Sequence, residues 1–416
     1  MHFFIALLPK IHQTIHITLN HRVTYMTVYI YHAKRTPIGA FQGQLSPFQG
    51  FQLGAEAIKA VSTNDTSTIA EEVIMGCVLS AGQGQAPARQ ATRHAFKCDH
   101  VPATTINKVC GSGMQAIIFA CNAIQTGQRH SVIAGGFESM THAPYLLPMG
   151  RSGYRMGHGV VMDHMLLDGL EDAYDSPANG TRRAMGIFAD ATAAHYGFTR
   201  EAQETFARET FDNYQHAENS GAFTHERAPL SHTDAKGNTI SITTDEPPSR
   251  VKPEKFAALR PAFSKDGTVT AATSSGIADG AAALLLGNDL QDHAPLARIA
   301  GFTTHASAPE WFTTAPIGAI QKLLTQLNWR ITDVDLFEIN EAFAVVPMAA
   351  AHELNIDRNR INVHGGACTL GHPIGASGAR IVVTLIHALK TRGLKRGIAA
   401  VCIGGGEATA IAVEMC

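Results

Sequence analysis

Two distant stretches of this chain spell the same local programme in the same order. Ser112-Gly113-Met114-Gln115-Ala116-Ile117 opens an apolar run and is followed by Val132-Ile133-Ala134-Gly135-Gly136. Near the C-terminus, Ser377-Gly378-Ala379-Arg380-Ile381-Val382 opens another, followed by Ile398 to Cys402 and then Gly404-Gly405-Gly406. Ahead of each pair stands a further match, Glu71-Glu72-Val73-Ile74-Met75-Gly76 against Val334-Asp335-Leu336-Phe337-Glu338-Ile339. Each match is short, but their shared order points to an internal duplication. Strand-like and helix-like segments alternate throughout, which predicts an α/β fold of two similar halves with mainly parallel sheets and Gly-rich turns facing one another.

The alternation reads as strands over Thr27–Tyr31, Glu72–Val78, Ala103–Ile106 and Ser131–Ala134, the last ending at Gly135-Gly136, with helices over Phe51–Ala60, Gln85–Phe96 and Gly113–Gln128. Between the halves, roughly 142 to 275, the chain turns richer in Pro, Arg, Asp and His; a helix with Thr199 as N-cap runs to Asn219. Loops are expected at Ala178-Asn179-Gly180-Thr181 and Asp245-Glu246-Pro247-Pro248. The predicted organisation is a first half over 26–141 with 276–294, an insertion over 142–275 that covers the site, and a second half over 295–416. Residues 1–25 hold no acidic residue and four histidines. They lack the basic region and cleavage site of a signal peptide and read as a poorly ordered extension.

Composition excludes several classes. A formal net charge of -2 offers no field to draw nucleic acid or an anionic membrane, so an anionic ligand must be held locally. No apolar run reaches the length of a membrane helix. Seven cysteines without a C-x-x-C pair argue against a disulfide framework and a zinc ribbon, and suit reduced thiols in a cytoplasmic setting. No metal is expected.

The chemistry centres on Asn107-Lys108-Val109-Cys110-Gly111-Ser112-Gly113. Cys110 falls on the turn between a strand and a helix, where backbone N–H groups and the helix dipole favour a thiolate; the alternative is a buried structural cysteine. The second half supplies His372 in a run of five glycines from Gly365 to Gly378, with Pro373 fixing the backbone beside it. An imidazole near the cysteine has the proton affinity to serve as its base. Cys402, just ahead of Gly404, offers a second acid/base thiol or a small buried strand residue. Asn340, ending another strand, offers a donor to an oxyanion or a cap.

Five runs, NKVCGSGMQA, GGFESM, NEAFA, GGACTLGHPIGASGAR and CIGGG, occur in this chain in an order that resembles the thiolase family, and the similarity extends from about Thr27 to the last residues. The resemblance implies the thiolase fold: two duplicated βαβαβαββ halves in five αβαβα layers, with an inserted loop domain that binds coenzyme A. It implies a homotetramer built as a dimer of dimers. It makes Cys110 the acyl acceptor, His372 its activator and Cys402 the base for the substrate α-proton. One oxyanion site falls to the N–H groups of Cys110 and Gly404, and a second to His372 with a water held by Asn340. By position, Leu170, Met185, Phe263, Ser275, Ala342 and Phe343 correspond to pantetheine-lining residues. Arg182, Arg183, Arg250 and Lys252 are candidates for the phosphates. Many biosynthetic members carry His before the Met-Gly pair, whereas Ala184 precedes Met185-Gly186 here.

The implied activity is acetyl-CoA C-acetyltransferase, the reversible condensation of two acetyl-CoA, with coenzyme A thioesters as substrates and no separate cofactor. The nearest alternative is a broader-chain 3-ketoacyl-CoA thiolase. A decarboxylating synthase would be expected to use two histidines where this chain has Cys402, and the Cys110, His372, Cys402 set disfavours a non-catalytic acyl-CoA or lipid-binding protein.

Overall fold

The computed structural model describes residues 26–62, 70–174, 182–290 and 293–416. The expected N-terminal extension and the loop at 178–181 lie outside these residues. The first half contains β1 (Tyr29–Arg35), α1 (Gly50–Val61), β2 (Glu72–Gly76), α2 (Pro87–Phe96), β3 (Ala103–Ile106), α3 (Ser112–Gln125) and β4 (Ser131–Ser139). An intervening segment carries α4 (Met185–Tyr196), α5 (Arg200–Asn219) and a hairpin of Leu230–Thr233 with Thr239–Ile242. Then come β5 (Ala278–Gly287), β6 (Ala297–Ala306), α6 (Ala315–Leu327), β7 (Leu336–Ile339), α7 (Val345–Leu354), α8 (Ile374–Arg392), β8 (Arg396–Ile403) and β9 (Glu407–Met415).

The strands run in the order β7-β8-β9-β6-β1-β5-β4-β2-β3. Read outward from the β6–β1 junction, the two wings match: β5 and β9, β4 and β8, β2 and β7 occupy equivalent places. The junction itself is narrow, pairing Tyr29 with Arg298 and Ile30 with Ala297. Helices α3 and α8 pack between the wings, while α1 and α2 cover the outside of the first and α6 and α7 that of the second. That stacking is the α/β five-layer arrangement of the duplicated halves.

The duplicated Ser-Gly pairs explain how the middle layer closes. A Cβ on Gly113 would stand 2.9 Å from the Ala379 backbone nitrogen, and one on Gly378 would stand 2.7 Å from that of Met114. Each glycine admits the backbone of the other helix, so side chains at either site would push α3 and α8 apart.

Two expectations need correction. Mainly parallel sheets were predicted, but among the described residues of the main sheet only β2–β3, β2–β4 and β7–β8 are parallel; β1–β5, β1–β6, β4–β5, β6–β9 and β8–β9 are antiparallel. Each half closes with a strand that returns beside its predecessor, which alternation alone does not reveal. Nor does β4 stop at Gly135-Gly136: it continues to Ser139, and the glycines are needed because side chains there would strike the Ala282 and Gly375 carbonyls. Only the second-half counterpart, Gly404 to Gly406, is a turn, with φ of 95° at Gly405 and 84° at Gly406.

A buried ion network clasps the intervening segment to both halves. Arg35 on β1 bonds Glu226 and both carboxylate oxygens of Asp245, at 2.6 and 3.0 Å. Arg227 reaches Asp245 at 3.1 Å, and Thr384 on α8 donates to Glu226 at 2.8 Å. Burial pushes the Asp245 and Glu226 carboxyls up, but Arg35 overrides it and holds both below their usual values. Their contribution is therefore full above the unfolded carboxylate range near pH 4 and is lost as pH falls through the lower folded values. Asp245→Asn is expected to cost about 3–5 kcal/mol, because it leaves Arg35 short of charge in the interior. Urea unfolding at pH 7 measures this, and the gap between variant and wild type should narrow toward pH 3.

Candidate active site

Cys110 is presented by a wound turn rather than by the helix itself. Asn107 Oδ1 accepts from the Val109 N–H at 2.9 Å, and Ser112 Oγ accepts from Lys108 N–H while donating to the Val109 carbonyl at 2.7 Å. These bonds hold Val109 at φ 47°, a conformation that a β-branched residue rarely adopts. Such strain persists only where surrounding bonds over-determine it, and it turns the next side chain, Cys110, out of the helix line.

The backbone N–H of Gly404, then that of Cys110 itself, favours negative charge on the Cys110 sulfur. Burial nevertheless dominates and pushes its thiol up to about 11. The expectation of an easily formed thiolate is thus corrected: dehydration of a charge outweighs the backbone N–H groups.

His372 arrives from the other half. Its N–H donates to Gly276 O at 2.9 Å, and Gly371 ahead of it has φ 87°. Its Nδ1 lies 2.5 Å from Ser377 Oγ, whose own proton goes to the Pro373 carbonyl at 3.0 Å. With that hydroxyl proton committed, the Nδ1–H is the donor, and Nε2 is left as a lone-pair acceptor without a protein partner among the described residues. Burial, then the nearby Arg380 charge, push the imidazole down to about 3, so it stands neutral with its Nε2 lone pair unprotonated.

Cys402 lies near the end of β8, fully buried, its thiol pushed up by burial and then by Cys110 close by. It belongs to the buried apolar cluster that includes Phe312 and Phe343, against which Met185 packs. The Asn340 backbone N–H donates to Ala400 O at 3.0 Å, placing it beside the same strand.

A cavity of about 400 Å³ gathers Cys110, His372, Gly404, Leu170, Met185, Phe263, Ser275, Ala342 and Phe343 in its wall. Asn340 and Cys402 are not part of that lining. A second cavity of about 490 Å³ shares Ser274 and Ile277 with the first and is lined by Arg250, Lys252 and Lys255. Arg182 lines the first cavity, whereas Arg183 stacks over Phe188 at 4.5 Å.

Sequence reasoning missed three contributors. Of the π-helical turn Leu166–Leu170, which lines the cavity, only Leu170 was expected there, because irregular winding leaves no periodic signal. Ser377 was seen only as part of the repeat, although its position five residues after His372 was a usable clue. Glu138 on β4 accepts N–H groups from Val78 and Leu79, both at 3.0 Å, and from Gly375 at 2.9 Å, tying the first half to the start of α8.

Comparison with known proteins agrees with this architecture. Family models described as the thiolase N-terminal and C-terminal domains match residues 28–289 and 293–415. An acetyl-CoA acetyltransferase of Saccharomyces cerevisiae is 44% identical over 398 residues, covering 93% of this chain and 98% of that protein. One from Chromobacterium violaceum is 44% identical over 396 residues, covering 94% and 100%. Among solved structures, the Bacillus anthracis acetyl-CoA acetyltransferase superposes with a TM-score of 0.89 at 37% identity, and an Ascaris suum thiolase in complex with coenzyme A with 0.85 at 40%. Each spans 94% of this chain and 100% of the solved chain.

Proposed function

Taking as premise that this chain belongs to the thiolase family, we propose that it is an acetyl-CoA C-acetyltransferase working through an acyl-Cys110 intermediate. The observation that carries the reading is the neutral His372, with Nε2 free and Nδ1 anchored, on the same cavity wall as Cys110 and Gly404.

In this mechanism the Cys110 thiol proton passes to His372 Nε2 as the sulfur attacks the thioester carbonyl. The oxyanion lies against the Cys110 and Gly404 N–H groups. Collapse expels the coenzyme A thiolate, which takes the Cys402 proton. The Cys402 thiolate then removes an α-proton from a second acetyl-CoA, and the enolate oxygen is met by protonated His372 and a water held by Asn340. The enolate carbon attacks acyl-Cys110, and the departing Cys110 sulfur recovers its proton from His372. Thiolysis is the same sequence reversed.

The apolar wall of Leu170, Met185, Phe263, Ala342 and Phe343, with Ser275, suits a pantetheine arm. Arg250, Lys252 and Lys255 at the adjoining cavity suit its phosphates. No cofactor beyond the coenzyme A thioesters enters any step. An exposed apolar arm that includes Tyr145, Leu147, Met149 and Met156 supports assembly into a tetramer. No helix among the described residues is long and apolar enough to cross a membrane, and all seven cysteines are unpaired, which supports a reducing, cytoplasmic site of action.

A second reading, a broader-chain 3-ketoacyl-CoA thiolase, is favoured by Leu166 and Leu167, which extend the apolar wall. Steady-state thiolysis of acetoacetyl-CoA and longer 3-ketoacyl-CoAs separates the two. The first reading expects kcat/KM to fall by about tenfold or more beyond four acyl carbons, a discrimination within reach of a shaped apolar pocket. A rising series would replace it with the second, and inactivity on all of them would remove both.

A further inference from the structure

Buried polar atoms without protein partners lie along one face of the second-half sheet and on the helix packed against it. Among the described residues they include Glu338 Oε1, both side-chain atoms of Asn340, both Arg380 Nη atoms and Thr409 Oγ1. Glu338, Arg380, Asn340 and Thr409 are 2%, 2%, 1% and 0% exposed. The sheet register relates their positions. Glu338 pairs with Ala399 and Val401 with Thr409, so Glu338 and Thr409 share the face turned to the middle helices, with Asn340 just past the end of β7. Arg380 approaches that face from α8, one turn beyond Ser377, the anchor of His372.

Arg380 Nη1 stands 3.6 Å from Glu338 Oε2, longer than the roughly 2.7–2.9 Å at which a charge-assisted pair closes. Polar atoms orphaned in the interior are costly if left dry, so donors and acceptors buried along this face call for ordered water. Arg380 supplies donors, Glu338 an acceptor, and Asn340 and Thr409 both.

We propose that Glu338 and Arg380 are positioning residues for the enolate step: they anchor ordered water continuous with that held by Asn340, fixing the donor that meets the enolate oxygen. The inference rests on the thiolase reading of Asn340 and His372. In the step concerned, the α-proton goes to Cys402 sulfur and the C–H electron pair becomes the enolate, whose negative oxygen is where an oriented donor acts. Formation of acyl-Cys110 uses the other oxyanion site and does not draw on this water.

The test separates the two half-reactions in the full-length protein. Acyl-Cys110 formation from acetyl-CoA is followed by intact mass, and α-proton exchange by deuterium uptake from heavy water. Above the pH at which the Glu338 carboxyl ionises, Glu338→Gln is expected to slow exchange by about tenfold or more, since outright loss of an oxyanion donor is worth roughly 10²–10³, while acylation stays within about twofold. Arg380→Gln should act in the same direction, and Glu338→Asp should recover part of the loss. A pH profile adds a signature that general loosening would not give. Burial pushes the Glu338 carboxyl up to about 8, against Arg380, with Glu341 and Glu226 raising it further. Wild-type exchange should bend near that pH, and Glu338→Gln should lose the bend. If Glu338→Gln does not fold, Arg380→Lys, which keeps the charge but not the fork, is read instead. Exchange and acylation changing in parallel, or neither changing, would overturn the inference while leaving the thiolase reading intact. A wild type that forms no acyl-Cys110 would overturn that reading and this inference with it.

Discussion

Cys110→Ser is expected to abolish acyl-enzyme formation and to lower condensation by on the order of 10⁴-fold or more, roughly 5 kcal/mol of barrier. Two effects add. The site receives its nucleophile protonated, with burial holding the thiol near 11 and the imidazole of His372 near 3, so a standing thiolate–imidazolium pair is disfavoured from both ends. Proton transfer must accompany attack on the thioester. A serine hydroxyl is far less acidic than a thiol and would suffer the same burial, so the same base cannot release it at a comparable rate. The substitution is nearly isosteric, and stability should change by less than about 1.5 kcal/mol. Intact mass after incubation with acetyl-CoA reads the acyl adduct directly; an adduct forming at the wild-type rate would remove Cys110 from its role.

Cys402→Ala should divide the reaction instead of stopping it at the start. Acylation of Cys110 is expected to remain within about threefold, whereas condensation and α-proton exchange fall by about 10²–10⁴, the usual worth of a positioned acid or base. The residue is fully buried on β8 and packs against the Met185, Phe312, Phe343 cluster, so removing its sulfur costs stability too, about 1–2 kcal/mol for the small cavity left. A urea midpoint measured alongside distinguishes that loss from chemistry. Exchange into heavy water persisting at the wild-type rate would assign the base elsewhere.

Local chemistry made much of this protein legible before any coordinates. The helical spacing after Cys110, the N-cap at Thr199 and the strand at Ala103–Ile106 stand where periodicity and capping placed them, because each depends on neighbours in the chain. The duplication was legible for the same reason, since both copies must solve the same local problem. The Ser-Gly pairs that mark it are the contact points of α3 and α8. Direction of strand pairing was not legible. The continuation of β4 through Gly135-Gly136 was hidden as well, because the carbonyls that demand glycine belong to β5 and to the start of α8.

The sequence alone determined the reactive residue types, the two-half plan and the glycine-rich turns on which Cys110 and His372 stand, all consequences of short-range conformational preference. Tertiary structure decided their electrical state. The tautomer of His372 depends on Ser377 and the Pro373 carbonyl, and the protonation of Cys110 on how much solvent the closed layers exclude. The buried polar group around Glu338 and Arg380 exists only because β7, β9 and α8 meet there. Proton affinity is set by the surrounding dielectric and by charges distant in the chain, and neither is encoded in any contiguous stretch.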